Sequence, residues 1–423
     1  MKREAWRQWP LLVGYLLLAV VVGVFMTVRY EPASTNSPNQ RKGAALNTAP
    51  IEDMRELASA AMVRGITAIP RPRTNVAAAP PVAVGKTGSG FGVSFSDTLP
   101  WLEAGELDAQ LKDVSALGFT WIRMDFDWQN MQPDSAYSYN FSEHDRVVKA
   151  AAKYKLQVLG LITMTPPWAR PAGCTSSPAC APADNDQFAR FAGALAAHYG
   201  PLGVTHWEIW NEPNIEGGWL PKPDAHTYTV LLKKSYTAIK AVNASAIVLS
   251  GGISSVDESS GSINQLTFLE SMYASGAKGS FDALGYHSYS YPATPDELHA
   301  WSGWSMMNDT HVSLRSIMVA NGDSAKQIWS TEYGAPTNGP GHQATETGYD
   351  PSAGTYFVSE GLQATMAAQA ITKTKASSWA GPLFWYGYKD IGTDASDSEN
   401  FFGLLRMDGT RKASYTAFQT LLK

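Results

Sequence analysis

The chain has 423 residues, 44% hydrophobic and 17% charged, a globular composition with apolar material for a sizeable core. Its net charge of -5 is uneven: residues 1–89 hold eleven Lys/Arg against five Asp/Glu, or +6, which leaves -11 for the rest. So acidic a body argues against nucleic acid as a partner, because phosphate binding needs a basic surface, and disfavours a polyanionic substrate.

In chain order, residues 1–9 form a short basic N-terminus with Lys2, Arg3 and Arg7 against Glu4. Residues 10–28, "PLLVGYLLLAVVVGVFMTV", carry no charge and are long enough to cross a bilayer as a helix. Positive charge stays on the cytoplasmic side, so the expectation is a single-pass anchor with the bulk of the protein outside the cytoplasm. The rival is a cleaved signal peptide and a secreted protein. The exit "TVRYEPAST" lacks the small-residue pattern that such cleavage needs. Residues 29–88, rich in Pro, Ala, Ser, Thr and Asn, read as a flexible linker.

Residues 89–423 alternate short apolar runs with helical periodicity. "FGVSFS" opens the first strand; Leu107, Leu111, Val114 and Leu117 then recur at helical spacing, and Gly118 closes that helix. "TWIRMDFDW" and "LQVLGLIT" are strands two and three, with a helix from about Glu143 between them and Ser142 as its expected N-cap. "THWEIWNEPN" is strand four, "AIVLSGG" five, "FDALGYHSY" six, "QIWSTEYG" seven and "PLFWYGYKD" eight. A last helix presents Tyr415, Phe418, Leu421 and Leu422 on one face. Eight strand–helix units predict an α/β fold of the (β/α)8 TIM-barrel type. An open doubly wound sheet is the alternative, but no glycine-rich phosphate loop follows any strand.

In such barrels the strand ends face the cleft. Glu212 ends strand four and Glu332 ends strand seven, so both can converge on one bond across the mouth. Glycoside hydrolysis needs such a pair, one carboxyl to protonate the leaving oxygen and one to attack or to activate water. The surrounding "WNEPN" and "TEYG" resemble the acid/base and nucleophile motifs of the retaining glycoside hydrolases of clan A. Family 39, with its β-xylosidases, α-iduronidases and bacterial exopolysaccharide glycosidases, looks nearest, and the cellulase-like family 5 second. The resemblance covers about Phe91 to Lys423.

It implies Glu212 as acid/base and Glu332 as nucleophile, a double displacement, and carboxyl groups about 5–5.5 Å apart. It implies that Asn211 bonds the sugar 2-hydroxyl, that Arg123 keeps the nucleophile ionised, and that His287 and Tyr289 close strand six beside it. It also implies Trp385 on strand eight as a sugar platform. Trp168, Trp128 and Trp219, in expected cleft loops, are further stacking candidates. Glu208, four residues deeper than Glu212, reads as a buried structural carboxylate.

Cys174 and Cys180 in "CTSSPAC" predict a local disulfide in an exported domain, with two free thiols as the alternative. The histidines are scattered and no metal motif stands out, so no cofactor is expected. The run Asp394, Asp397 and Glu399 reads as a solvated acidic loop. Residues 337–355 and 292–310 are expected to wall the cleft. The expected partners are a carbohydrate substrate and, through the N-terminal helix, the membrane. Two further readings stay open, a non-catalytic carbohydrate-binding scaffold of the cell envelope and a transglycosylase of polymer assembly.

Overall fold

The computed structural model describes residues 87–258 and 261–423. The basic N-terminus, the apolar run Pro10–Val28 and all but the last two residues of the 29–88 linker lie outside the described residues. Among the described residues no helix is long and apolar enough to cross a membrane.

Eight parallel strands close into a barrel: β1 (Phe91–Ser94), β2 (Trp121–Asp127), β3 (Gln157–Thr163), β4 (His206–Asn211), β5 (Ile247–Ser254), β6 (Leu284–His287), β7 (Ile328–Tyr333) and β10 (Ala380–Tyr386). They follow chain order around the ring, and β1 pairs both β2 and β10. A two-strand ribbon, β8 (His342–Ala344) with β9 (Tyr356–Val358), decorates the long connection after β7. The outer helices are α1 (Ala104–Leu117), α2 (Ser142–Lys153), α3 (Asn185–Tyr199), α4 (Ala225–Val242), α5 (Gln265–Ala274), α6 (Leu314–Ala320), α7 (Glu360–Ala376) and α8 (Ala413–Leu421).

Five of these helices start on a side-chain cap. Asp184, Asp224, Asn264, Ser313 and Ser359 accept from first-turn N–H groups of α3 to α7, relieving donors that have no partner within the helix. Ser142 differs from expectation: it is the first helical residue, and Asn140 Oδ1 accepts from its N–H at 3.3 Å and its hydroxyl at 2.7 Å. In α8, Tyr415 and Phe418 are buried while Leu421 and Leu422 are half-buried.

The ring is packed at its base. Trp121, Leu159, Leu249, Ala283, Trp329 and Phe384 form a separate inner cluster, with Trp121 edge-on to Trp329 at 5.3 Å. Bulky side chains plug this end, and the polar residues above them lie toward the strand ends. Going up the ring, the inward positions become Arg123, Glu208 and Ser94, all buried, and beyond them the mouth opens.

Candidate active site

Arg123 of β2 is fully buried and ties three other strands to its own. Its Nε donates to Glu208 Oε2 at 2.6 Å, and its Nη1 to Glu332 Oε1 at 2.7 Å and Ser94 Oγ at 3.0 Å. Nη2 donates to Asn211 Oδ1 at 2.9 Å. Glu208 has no exposed surface and partners the cation from below. A lone charge here would carry a desolvation penalty of several kcal/mol, so the two carboxylates and the guanidinium stand or fall together. The bond to Asn211 Oδ1 fixes that amide with its NH2 as the remaining donor.

Glu332 receives donors on both oxygens. Arg123 reaches Oε1, and the Tyr289 hydroxyl donates to Oε2 at 2.9 Å. That acceptor-only pattern belongs to a carboxylate. Glu212 lies on the other side of His287, whose Nδ1 is 2.9 Å from Glu212 Oε1 and 3.4 Å from Glu332 Oε2. The separation of those two oxygens therefore cannot exceed the sum of 2.9 and 3.4 Å. Burial alone would lower the His287 pKa, but Glu332 and Glu212 outweigh it and raise it. Burial pushes the Glu212 carboxyl up, yet the His287 bond and charge, with Ser254 and Arg123, bring it below its ordinary value. Both shifts put the proton of the Glu212–His287 contact on the imidazole.

The backbone of β4 makes this meeting possible. Trp210 and Glu212 both sit in the left-handed region, at φ 72° and 48°. Plain alternation would point Asn211 and Glu212 to opposite faces; here one binds Arg123 and the other His287. The kink presses against β5, where a Cβ on Gly251 would come within 2.4 Å of the Trp210 carbonyl oxygen. His287 needs its own clearance: a Cβ on Gly252 would meet Nε2 at 2.1 Å and Thr331 Oγ1 at 2.9 Å.

Three of the four expected tryptophan platforms, Trp385, Trp128 and Trp219, are buried. Trp385 is fully buried, edge-on to Phe418 of α8 at 5.3 Å and to Tyr333 at 6.0 Å, with its indole N–H on the Phe402 carbonyl. It points outward from the ring and cannot stack on a sugar. Its neighbour Tyr386 takes the inward position. Trp128 and Trp219 are buried as well, Trp219 against Trp210 and Tyr228. Trp168 is half-buried in the connection after β3, its N–H on the Gln132 carbonyl and its ring edge-on to Trp128 at 5.4 Å. Nearby, Cys174 and Cys180 are joined by a disulfide.

Sequence reasoning missed a second group at the mouth. Tyr386 packs on Phe402 at 5.2 Å and Tyr289 at 6.2 Å, and Tyr291 packs on Phe402 at 5.9 Å. The Tyr386 hydroxyl donates to Glu399 Oε2 at 3.1 Å. Glu399 is therefore not part of a solvated loop. Burial first, then Glu332, Asp397 and Glu212, push its carboxyl up to about 7, against the lowering Tyr386 bond. The wider acidic run does behave as a turn, with Asp394 accepting from Ser396 and Asp397 from the Glu399 N–H. Among the described residues no group of three or more His, Cys, Asp or Glu could hold a metal ion.

Comparison with known proteins agrees with this architecture. The cellulase (glycosyl hydrolase family 5) sequence model matches residues 83–369. No curated protein matches. Among solved structures, a family 39 glycoside hydrolase from the gut symbiont Bacteroides cellulosilyticus WH2 superposes with a TM-score of 0.60 at 24% identity, over 79% of this chain and 63% of that one. The present chain thus spans less than two thirds of that enzyme. A monomeric β-xylosidase from Caulobacter crescentus CB15 gives 0.56 at 19% identity, over 80% and 69% of the two chains. Xylanase 10B from Thermotoga petrophila RKU-1 gives 0.52 at 15%, over 79% and 94%. At these identities the structures speak for the fold, and the sequence match decides the family. It spans most of the barrel and includes both strand-end glutamates, so the chain belongs to the cellulase family of glycosyl hydrolases, family 5 of clan A.

Proposed function

We propose that this chain is a glycosidase that acts with retention of configuration, with Glu212 as acid/base and Glu332 as nucleophile, on a polysaccharide or oligosaccharide outside the cytoplasm. The observation that carries the reading is the shared contact with His287. It caps the separation of the two oxygens at the sum of 2.9 and 3.4 Å. Inverting enzymes hold their carboxyl groups roughly 6.5–9.5 Å apart to admit a water, and retaining ones about 5–5.5 Å.

In the first step Glu332 Oε2 or Oε1 attacks the anomeric carbon, and the proton held by His287 passes through Glu212 to the leaving oxygen. The C–O bond to the leaving group breaks as the glycosyl–enzyme ester forms. In the second step Glu212, now a base, takes a proton from water, whose oxygen displaces Glu332. Arg123 and Tyr289 hold the nucleophile in place throughout, which favours attack over rotation away. Asn211 presents its NH2 toward a sugar hydroxyl. The apolar run Pro10–Val28 and the disulfide both support an anchored domain on the outer side of a membrane.

The test is Glu212→Gln and Glu332→Gln, each assayed on a cleaved glycoside, with proton NMR of the first-formed anomer in the wild type. The expected result is a loss in kcat of at least about 10²-fold in each variant with folding intact, and a first product of the same anomeric sense as the substrate. Wild-type turnover in both variants, or an inverted first product, refutes the assignment.

A further inference from the structure

The connection after β6 does more than deliver Tyr289. Its far end carries Trp301, 44% exposed, stacked on His299 at 5.0 Å with 20° between the rings. His299 Nε2 lies 3.2 Å from the Tyr349 hydroxyl, and Tyr349 packs against Tyr356 of β9 at 5.7 Å. One face of the indole is therefore backed by a ring that the connection after β7 holds in place. The open side leaves a large apolar area in water, a cost with no return in the isolated chain.

Trp301 is also tied to the reacting centre. Two residues on, the Gly303 N–H donates to the Tyr289 carbonyl at 3.0 Å, and the hydroxyl of that same tyrosine bonds Glu332. With consecutive Cα atoms about 3.8 Å apart, Trp301 lies within two residues' length of a backbone bond to Tyr289, in a connection that leaves the strand-end face of the barrel. A flat, open indole in that connection matches the C–H face of a pyranose ring, and rigid backing spares the ordering cost of binding.

We propose that Trp301, buttressed by His299 and Tyr349, is an outlying sugar platform, so that the enzyme grips a chain longer than the unit whose bond it breaks. The proposal rests on the glycosidase activity and extends it to chain-length selection. Leu298, 67% exposed in the same connection, adds apolar surface. Its place in the connection that also carries Tyr289 commits the occupant of the Trp301 platform to the substrate's own outlying sugars.

The experiment compares wild type, Trp301→Ala and Trp301→Phe, all as full chains, on dimers and hexamers of β-1,4-linked glucose, xylose and mannose. In at least one series the wild type should favour the hexamer in kcat/KM. Trp301→Ala should cut that preference roughly 10-fold, through KM, while changing dimer hydrolysis by less than about twofold. Trp301→Phe should restore most of it. The thermal midpoint should stay close to wild type, because the side chain is exposed. Equal loss on dimer and hexamer, no change on either, or a wild type without hexamer preference in every series overturns the proposal. An error in the catalytic pair would appear elsewhere, as activity remaining in Glu212→Gln or Glu332→Gln.

Discussion

Arg123 divides its guanidinium among Glu208, Glu332, Ser94 and Asn211, while Glu399 has one neutral partner, the Tyr386 hydroxyl. The two show opposite ways of burying charge. Arg123 is held by two carboxylates, whereas the Glu399 carboxyl is pushed up to about 7, chiefly by burial. Its value in the unfolded chain is about 4.3, so its folded value is raised. The stability linked to that proton is complete below pH 4 and is lost as pH rises through 7. Glu399→Gln keeps the Tyr386 bond and never faces that loss. Its melting temperature relative to wild type should therefore climb between pH 5 and pH 8, by the equivalent of about 1 kcal/mol, allowing for partial exposure. A difference that stays flat across this range, followed by calorimetry, would show that Glu399 titrates normally.

At the scale of elements, the closeness of β4, β5 and β6 at the mouth sets the catalytic geometry. Gly252→Ala puts a methyl 2.1 Å from His287 Nε2, so the ring must shift. Such overpacking costs typically about 1–3 kcal/mol and should move the imidazole off Glu212, cutting kcat by roughly 10²-fold or more. Gly193→Ala in α3 is the control: its Cβ would meet nothing closer than 3.5 Å, and helix propensity gains about 0.5–1 kcal/mol. Activity assays on both variants separate crowding at the site from a general intolerance of alanine. The eight strands were legible in the sequence because apolar runs and helical periodicity repeat without interruption. Glu212 and Glu332 were legible because each ends such a run. Trp385 was misread because a platform position depends on strand parity at the top of β10, where Tyr386, one residue on, faces inward. Glu399 was missed because an irregular connection has no period from which its direction could be read. The double left-handed turn at Trp210 and Glu212 was equally hidden, since neither residue type favours positive φ.

For the whole molecule, the division between an acidic barrel and a basic, apolar N-terminus predicts separable roles. Removing residues 1–28 should shift the protein from the membrane to the soluble fraction of expressing cells and leave kcat/KM on small glycosides unchanged. Fractionation followed by assay measures both. The kink in β4 reaches further. Left-handed backbone at a non-glycine residue costs of order 1–3 kcal/mol, and asparagine or glycine at 212 would release it at the position we propose as proton donor. A directed-evolution campaign scored only on heat tolerance would thus be drawn toward sequences that are sturdier and inert. In this fold, ruggedness and turnover compete for a single codon.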